Sequence, residues 1–228
     1  MASTATAGVE QRMNHHDPKM EPYLQASATI NFDDKSVDEF ARSNSDEATG
    51  SKKKAISLYY AVRDGIRYDP YAIEMTVEGL RASSTLERGR GWCVSKAILL
   101  AACCRAIGIP ARLGFADLRN HLNSAVLRDY MKTDVFYWHG YTSIHLAGSW
   151  IKATPAFNIE LCERFQQKPV EFDGKNDSLC HPFDLLGNRH IDYLKYRGEF
   201  AEVPIAKILE TFHQEYVIGK SKKGSASG

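Results

Sequence analysis

Apolar positions recur with helical spacing in two early stretches, Ser36 to Ser43 and Ala55 to Ile66, on either side of a polar linker at 44–54. In the second, Ile56, Tyr59, Tyr60 and Val62 share an inward face. Before them, Tyr23 to Phe32 alternates enough to predict a strand. After the turn signal Tyr68-Asp69-Pro70, a mixed segment runs to Glu87. From Cys93 to Ala106 almost every residue is apolar and a strong helix former, and Gly108 and Pro110 supply the stop. This predicts a buried helix with Cys93 in its first turn. Ala111 to Ala116 predicts a strand and Leu118 to Lys132 a looped or helical excursion. Asp134 to Leu146 is a long aromatic and β-branched strand, Ala147-Gly148-Ser149 a hairpin loop and Trp150 to Ala153 the returning partner. Beyond Phe157 the chain is more polar, with a helix expected over Ile191 to Tyr196.

Composition narrows the function classes. A chain of 228 residues, 43% hydrophobic, suits one elaborated domain, here 20–215, between flexible ends at 1–19 and 216–228. A net charge of +1 gives no global field toward nucleic acid. The longest purely apolar run, Ala97 to Cys104, has 8 residues, far short of a membrane span. With no secretory signal in the first residues, the expected compartment is the cytoplasm. Five cysteines, an odd number with no C-x-x-C, point to reduced thiols rather than a disulfide framework. No His/Cys/Asp/Glu group has metal-ligand spacing. Neither a metal nor any other cofactor is expected. The oligomeric state is open.

The chemistry concentrates at Gly91-Trp92-Cys93-Val94-Ser95-Lys96-Ala97, where a thiol stands at the junction of a glycine run and a helix N-terminus. Unpaired backbone N–H groups and the helix dipole stabilise an anion there, which predicts a lowered thiol pKa and an oxyanion site at the Cys93 N–H. The alternative for Cys93 is plain packing, which is the expectation for Cys103 and Cys104; Cys162 and Cys180 have no assignment. Tyr68 is the candidate second oxyanion donor, with a packed aromatic as the alternative, and Trp92 the candidate wall. A thiolate needs a base, and His139 on the Phe136–Tyr141 strand is the leading histidine. His145 near the turn, His121 in a polar loop, and Asp173, Asp184 and His190 are weaker candidates, with solvated loops and caps the commoner role. His15 and His16 need none.

The blocks Arg90-Gly91-Trp92-Cys93, Cys104-Arg105-Ala106-Ile107-Gly108-Ile109-Pro110-Ala111-Arg112, His139-Gly140-Tyr141 and Gly148-Ser149-Trp150-Ile151-Lys152-Ala153-Thr154-Pro155 together resemble the transglutaminase-like superfamily of papain-fold cysteine enzymes, in its bacterial form. The resemblance is densest over 55–158. It implies an α+β fold, a papain-like/transglutaminase-like core with the nucleophile helix packed on an antiparallel sheet. It also implies Cys93 as nucleophile and His139 as base. At the third position such proteins carry Asp before the Pro of the returning strand, where this chain has Thr154. A Thr hydroxyl can orient the ring but brings no charge. Asn158 is the alternative, because a turn at Gly148-Ser149 would set it opposite His139. The implied reaction is acyl transfer through a thioester, by hydrolysis of an amide or peptide bond or transfer to an amine. Its substrate would be a peptide, a protein or a small amide. The rival reading is a weak or inactive relative acting as a binding or scaffold protein.

Overall fold

In a computed structural model of the chain, the residues described are 17–46, 49–121, 129 and 131–216. The expectations for 1–16, 217–228 and most of the 118–132 excursion lie outside them. Helices α1 (Lys35–Ser43) and α2 (Ser51–Gly65) precede a two-residue strand β1 (Arg67–Tyr68). The short helices α3 (Val77–Leu80) and α4 (Ala82–Arg88), strand β2 (Arg90–Gly91) and helix α5 (Cys93–Ala106) follow. Strands β3 (Ala111–Asn120), β4 (Val135–Leu146) and β5 (Ser149–Ala153), helix α6 (Ile159–Arg164), strand β6 (Ile191–Phe200) and helix α7 (Ile205–Glu215) complete the fold. The main sheet is antiparallel with order β5-β4-β3-β6, while β1 and β2 form a small parallel pair.

Helix α5 is the centre of the molecule. It packs on β4 on one side and on α1, α2 and α4 on the other, and every residue from Cys93 to Arg105 is buried. A helix without a solvent face must satisfy its charged side chains internally. Lys96 donates to the carbonyls of Arg63 at 2.8 Å and Ile66 at 2.5 Å, closing the C-terminus of α2. Arg105 donates to the carbonyls of Ala111, Gln25 and Ala201, at 2.9, 2.7 and 2.7 Å. One guanidinium thus ties the end of α5 to β3, to the N-terminal segment and to the link into α7. Gly108, at φ 75°, ends the helix as its neighbours predict.

Three stretches differ from the sequence expectation, the first being Leu118 to Asn120, expected in the excursion, which continue β3 because they pair with β4 and β6. Tyr23 to Phe32 is not a strand: a 3-10 turn at Glu21–Tyr23 leads into irregular chain. There Ala82 donates its N–H to the Thr29 carbonyl at 2.9 Å, and Thr29 donates to Glu202. Its backbone partners are a helix start and a carboxylate rather than a sheet edge. Ile191 to Tyr196 is not a helix but most of β6, paired with β3 from Ile191↔Asn120 to Phe200↔Leu113. Its polar outer residues belong to an edge strand, which bulges twice against β3 and carries Gly198 at φ 106°.

Replacing Lys96 by Met keeps the apolar stem but leaves two buried carbonyls without donors. Unfolding in denaturant should show Lys96→Met less stable by about 2–4 kcal/mol. Parent-like stability would mean that the α2 end finds other partners.

Candidate active site

The Cys93 end of α5 is built by close backbone approaches. Trp92 is the N-cap in extended conformation, without a side-chain cap, so the first N–H groups of the helix stay open. Gly91 pairs with Tyr68, and a Cβ on it would come within 2.3 Å of the Ser95 Oγ. Gly140 on β4 lies against the first turn: a Cβ there would stand 2.9 Å from the Val94 Cα. That contact puts the neighbouring His139 beside Cys93. Both line one narrow cleft with Trp92, Tyr68, Pro70, Ile73, Met131, Phe136, Tyr137, Phe212 and Tyr216, none of which is charged.

Strand β4 reaches His139 through a strained bulge. Trp138 holds φ 58°, a left-handed conformation that an aromatic residue seldom adopts. The register shifts there, Tyr137 and Trp138 together facing Asp117 of β3. The buried Asp117 carboxylate holds the kink. It accepts from the Trp138 N–H at 3.1 Å and from Arg197, whose Nη2 is 2.7 Å away. The Arg197 guanidinium also lies over the Trp138 ring at 5.2 Å, and the indole N–H donates to Thr211 of α7 at 2.9 Å. Further along the cleft wall, the Tyr216 hydroxyl accepts from the Tyr137 N–H at 2.9 Å.

The electrostatics oppose the sequence expectation for the thiol. Burial pushes Cys93 up to about 11. The N–H groups of Gly140, Val94 and Cys93 itself pull the other way without overcoming it. The helix-start argument has the right sign but loses to desolvation in an apolar cleft. Burial likewise lowers His139 to about 4. At neutral pH the pair therefore rests as thiol and neutral imidazole.

Among the described residues neither candidate third member hydrogen-bonds the histidine. The hairpin turns at Ala147-Gly148, with φ 50° and 85°, and pairs Leu146 with Ser149 and Thr142 with Ala153. That register differs by two residues from the one that would face Asn158 toward His139. Asn158 instead precedes α6 and accepts from the Tyr68 N–H at 3.0 Å. Thr154 is buried; its carbonyl accepts from Tyr59, its N–H donates to Ser178, and its hydroxyl makes no hydrogen bond. The partner of His139 among the described residues is Cys180, whose Sγ lies 3.9 Å from Nε2. No signal in the sequence marked Cys180, because the contact joins segments 41 residues apart.

The remaining candidates fall into place. Tyr68 stands in the cleft with its phenol pushed well upward by burial and, next in order, by its nearness to Cys93 and Cys180, so it stays a donor. Trp92 forms a wall against Phe212, ring centroids 6.3 Å apart. Cys103 and Cys104 are core residues. His145 packs on Trp150, and His121 pairs with Asp192 at 2.8 Å. Asp173 and Asp184 cap tight turns, and His190 is buried at the Pro182 turn. Among the described residues no group of His, Cys, Asp or Glu could hold a metal, and no helix is long and apolar enough to cross a membrane.

A helix-borne thiol docked on an antiparallel sheet that carries a histidine is the papain-like arrangement. A family model for the transglutaminase-like superfamily matches residues 38–155, just over half of the chain. The chain belongs to that superfamily. Two solved structures are similar to it. One is a candidate cysteine protease from Cytophaga hutchinsonii, 19% identical with a TM-score of 0.48, over 61% of this chain and 43% of that one. The other is a candidate protease from Parabacteroides distasonis, 15% identical with a TM-score of 0.39, over 60% of this chain and 25% of that one. This chain thus spans less than half the length of either. No curated protein matches it.

Gly140→Ala sets a Cβ against a backbone atom of Val94, so α5 must move off β4. It should destabilise the fold by about 1–3 kcal/mol and slow alkylation of Cys93; parent-like values for both would show that the close approach is dispensable. Burial of neutral His139 also predicts a pH effect. The unfolded chain binds the extra proton between about 4, the folded value, and 6.5. Stability therefore falls as pH drops through that window. In His139→Gln this component is absent, so the stability gap between parent and variant should narrow from pH 6.5 to 4. Parallel curves would contradict it.

Proposed function

We propose that the protein is a cysteine-dependent acyl-transfer enzyme in which Cys93 attacks an amide or ester carbonyl with His139 as base. The observation that carries this reading is that Cys93, at the open N-terminus of α5, and His139 line one cleft, brought together at Gly140. Because both groups rest neutral, the thiol proton passes to the imidazole as the sulfur–carbon bond forms, rather than in advance. The Cys93 N–H and the Tyr68 hydroxyl are the donors for the resulting oxyanion. The imidazolium then protonates the leaving nitrogen or oxygen as its bond to carbon breaks, leaving a thioester. Water or an amine, deprotonated by His139, attacks that thioester and releases Cys93 as a thiol.

The uncharged lining suits a substrate with an aliphatic or aromatic group next to the scissile bond, in a peptide, a protein or a small amide. Hydrolysis and transfer to an amine share every step up to the thioester. A second reading, a binding protein on a retired catalytic frame, is favoured by one observation: His139 has no carboxylate within hydrogen-bond reach among the described residues.

p-Nitrophenyl acetate separates the two readings. An enzyme releases p-nitrophenol and carries acetyl on Cys93 by peptide mass mapping; Cys93→Ala abolishes both. His139→Ala slows acylation by about 10²-fold or more. Acetylation spread over other residues, or indifferent to His139, would favour the binding protein. Added amine that diverts the acetyl group from water would mark a transferase.

A further inference from the structure

Cys180 reaches the site along a path of its own. Residues just before it run beside β5: Ser178 donates to the Lys152 carbonyl at 2.7 Å and accepts from the Thr154 N–H at 2.9 Å, in a parallel bridge with Ala153. The Cys180 N–H donates to the Tyr193 hydroxyl of β6 at 3.1 Å. The cysteine is thus fixed from both edges of the main sheet, and its buried thiol lies 3.9 Å from the His139 Nε2. The side chain packs with Leu118 and Ile191 and at the same time presents its sulfur to a ring nitrogen.

We propose that Cys180 is the positioning residue of the His139–Cys93 pair, its Sγ accepting from the Nε2–H and leaving the Nδ1 lone pair for the Cys93 proton. This rests on the acyl-transfer reading above and gives the third role to a residue in contact with the ring, where Thr154 and Asn158 make no hydrogen bond to it. A base that takes a proton at one ring nitrogen must hold its own proton at the other, and an acceptor there selects that tautomer. Sulfur is a weak acceptor without charge. Cys180 therefore orients the ring while giving the imidazolium little support. Among the described residues, the other titratable groups that line the cleft with the ring are Cys93 on α5, Tyr68 on β1, Tyr137 on β4 and Tyr216 after α7, and Tyr193 on β6 stands at Cys180. All are pushed upward by burial and neutral at pH 7. The Asp117–Arg197 pair behind the bulge is closed on itself. Among the described residues, Cys180 is the group in contact with Nε2.

The test combines nitrogen NMR of His139 with the pH dependence of Cys93 alkylation by iodoacetamide in the whole chain. The parent should show the Nε2–H tautomer. Cys180→Ala should mix the tautomers and slow alkylation at pH 7, whereas Cys180→Ser, which keeps a small acceptor, should stay between the two. Cys180→Asp places a carboxylate at Nε2. It should raise the His139 pKa by roughly 1–2 units and move the onset of alkylation to lower pH. A parent ring in the Nδ1–H form, or a tautomer and pH profile unchanged in all three variants, would overturn the proposal. If those profiles stay unchanged while His139→Ala still slows alkylation, only the role of Cys180 falls. Parent alkylation indifferent to His139 overturns both this inference and the catalytic reading.

Discussion

The direct contact between the first turn of α5 and Gly140 of β4 is the constraint on which the rest of the structure depends. Helix-on-sheet packing normally separates the two backbones by a layer of side chains. Here a Cβ would stand 2.9 Å from the Val94 Cα, so only glycine lets the helix end meet the strand. Packing against α1, α2 and α4 buries the rest of α5, so its two basic side chains find internal partners. Lys96 and Arg105 form five hydrogen bonds to carbonyls in the segments that flank the helix. The helix that carries Cys93, the proposed nucleophile, is therefore also the one that fastens α2, β3 and the link into α7.

The contact alone does not aim His139. Strand alternation would set the ring by the pleat, and the bulge at Trp138 re-aims it. A left-handed aromatic residue costs on the order of 1–3 kcal/mol and persists only where its surroundings over-determine it. Asp117, Arg197 and Thr211 do so here, holding the Trp138 backbone and indole from β3, β6 and α7. The late elements β6 and α7 thus bear on the site through its backbone and complete the wall of the cleft. Strain sits one residue from the proposed base, where a fixed ring direction is of most use.

How much of this was legible follows from how local each signal is. Helix α5 matches its sequence bounds because its apolar run and its Gly108 stop are local. Strand β6 was misread because an edge strand shows polar residues on both faces, and its pairing with β3 is a property of the sheet. The Asn158 alternative failed on a turn: with Ala147 and Gly148 both at positive φ, the hairpin closes earlier than a Gly148-Ser149 turn allows. The place of Cys93 at a helix start is local and legible, yet its pKa direction is not, because the depth of burial depends on Phe212, Tyr216 and Met131 from distant segments. Cys180 had no local signal at all.

The opposed shifts of Cys93 and His139 share one cause and bear on how such a site would operate. An apolar cleft without charged lining disfavours thiolate and imidazolium alike, so the resting pair stores no ion pair and its thiol is protected from adventitious electrophiles. The cost falls on the transition state, where negative charge must develop. There the Cys93 N–H and the Tyr68 hydroxyl, the donors proposed for the oxyanion, would act more strongly in a cleft of low dielectric than water does. A carboxylate at Nε2 would shift the balance toward a standing ion pair. In the proposed role, the neutral sulfur of Cys180 would leave charge separation to the moment at which a substrate carbonyl is in place.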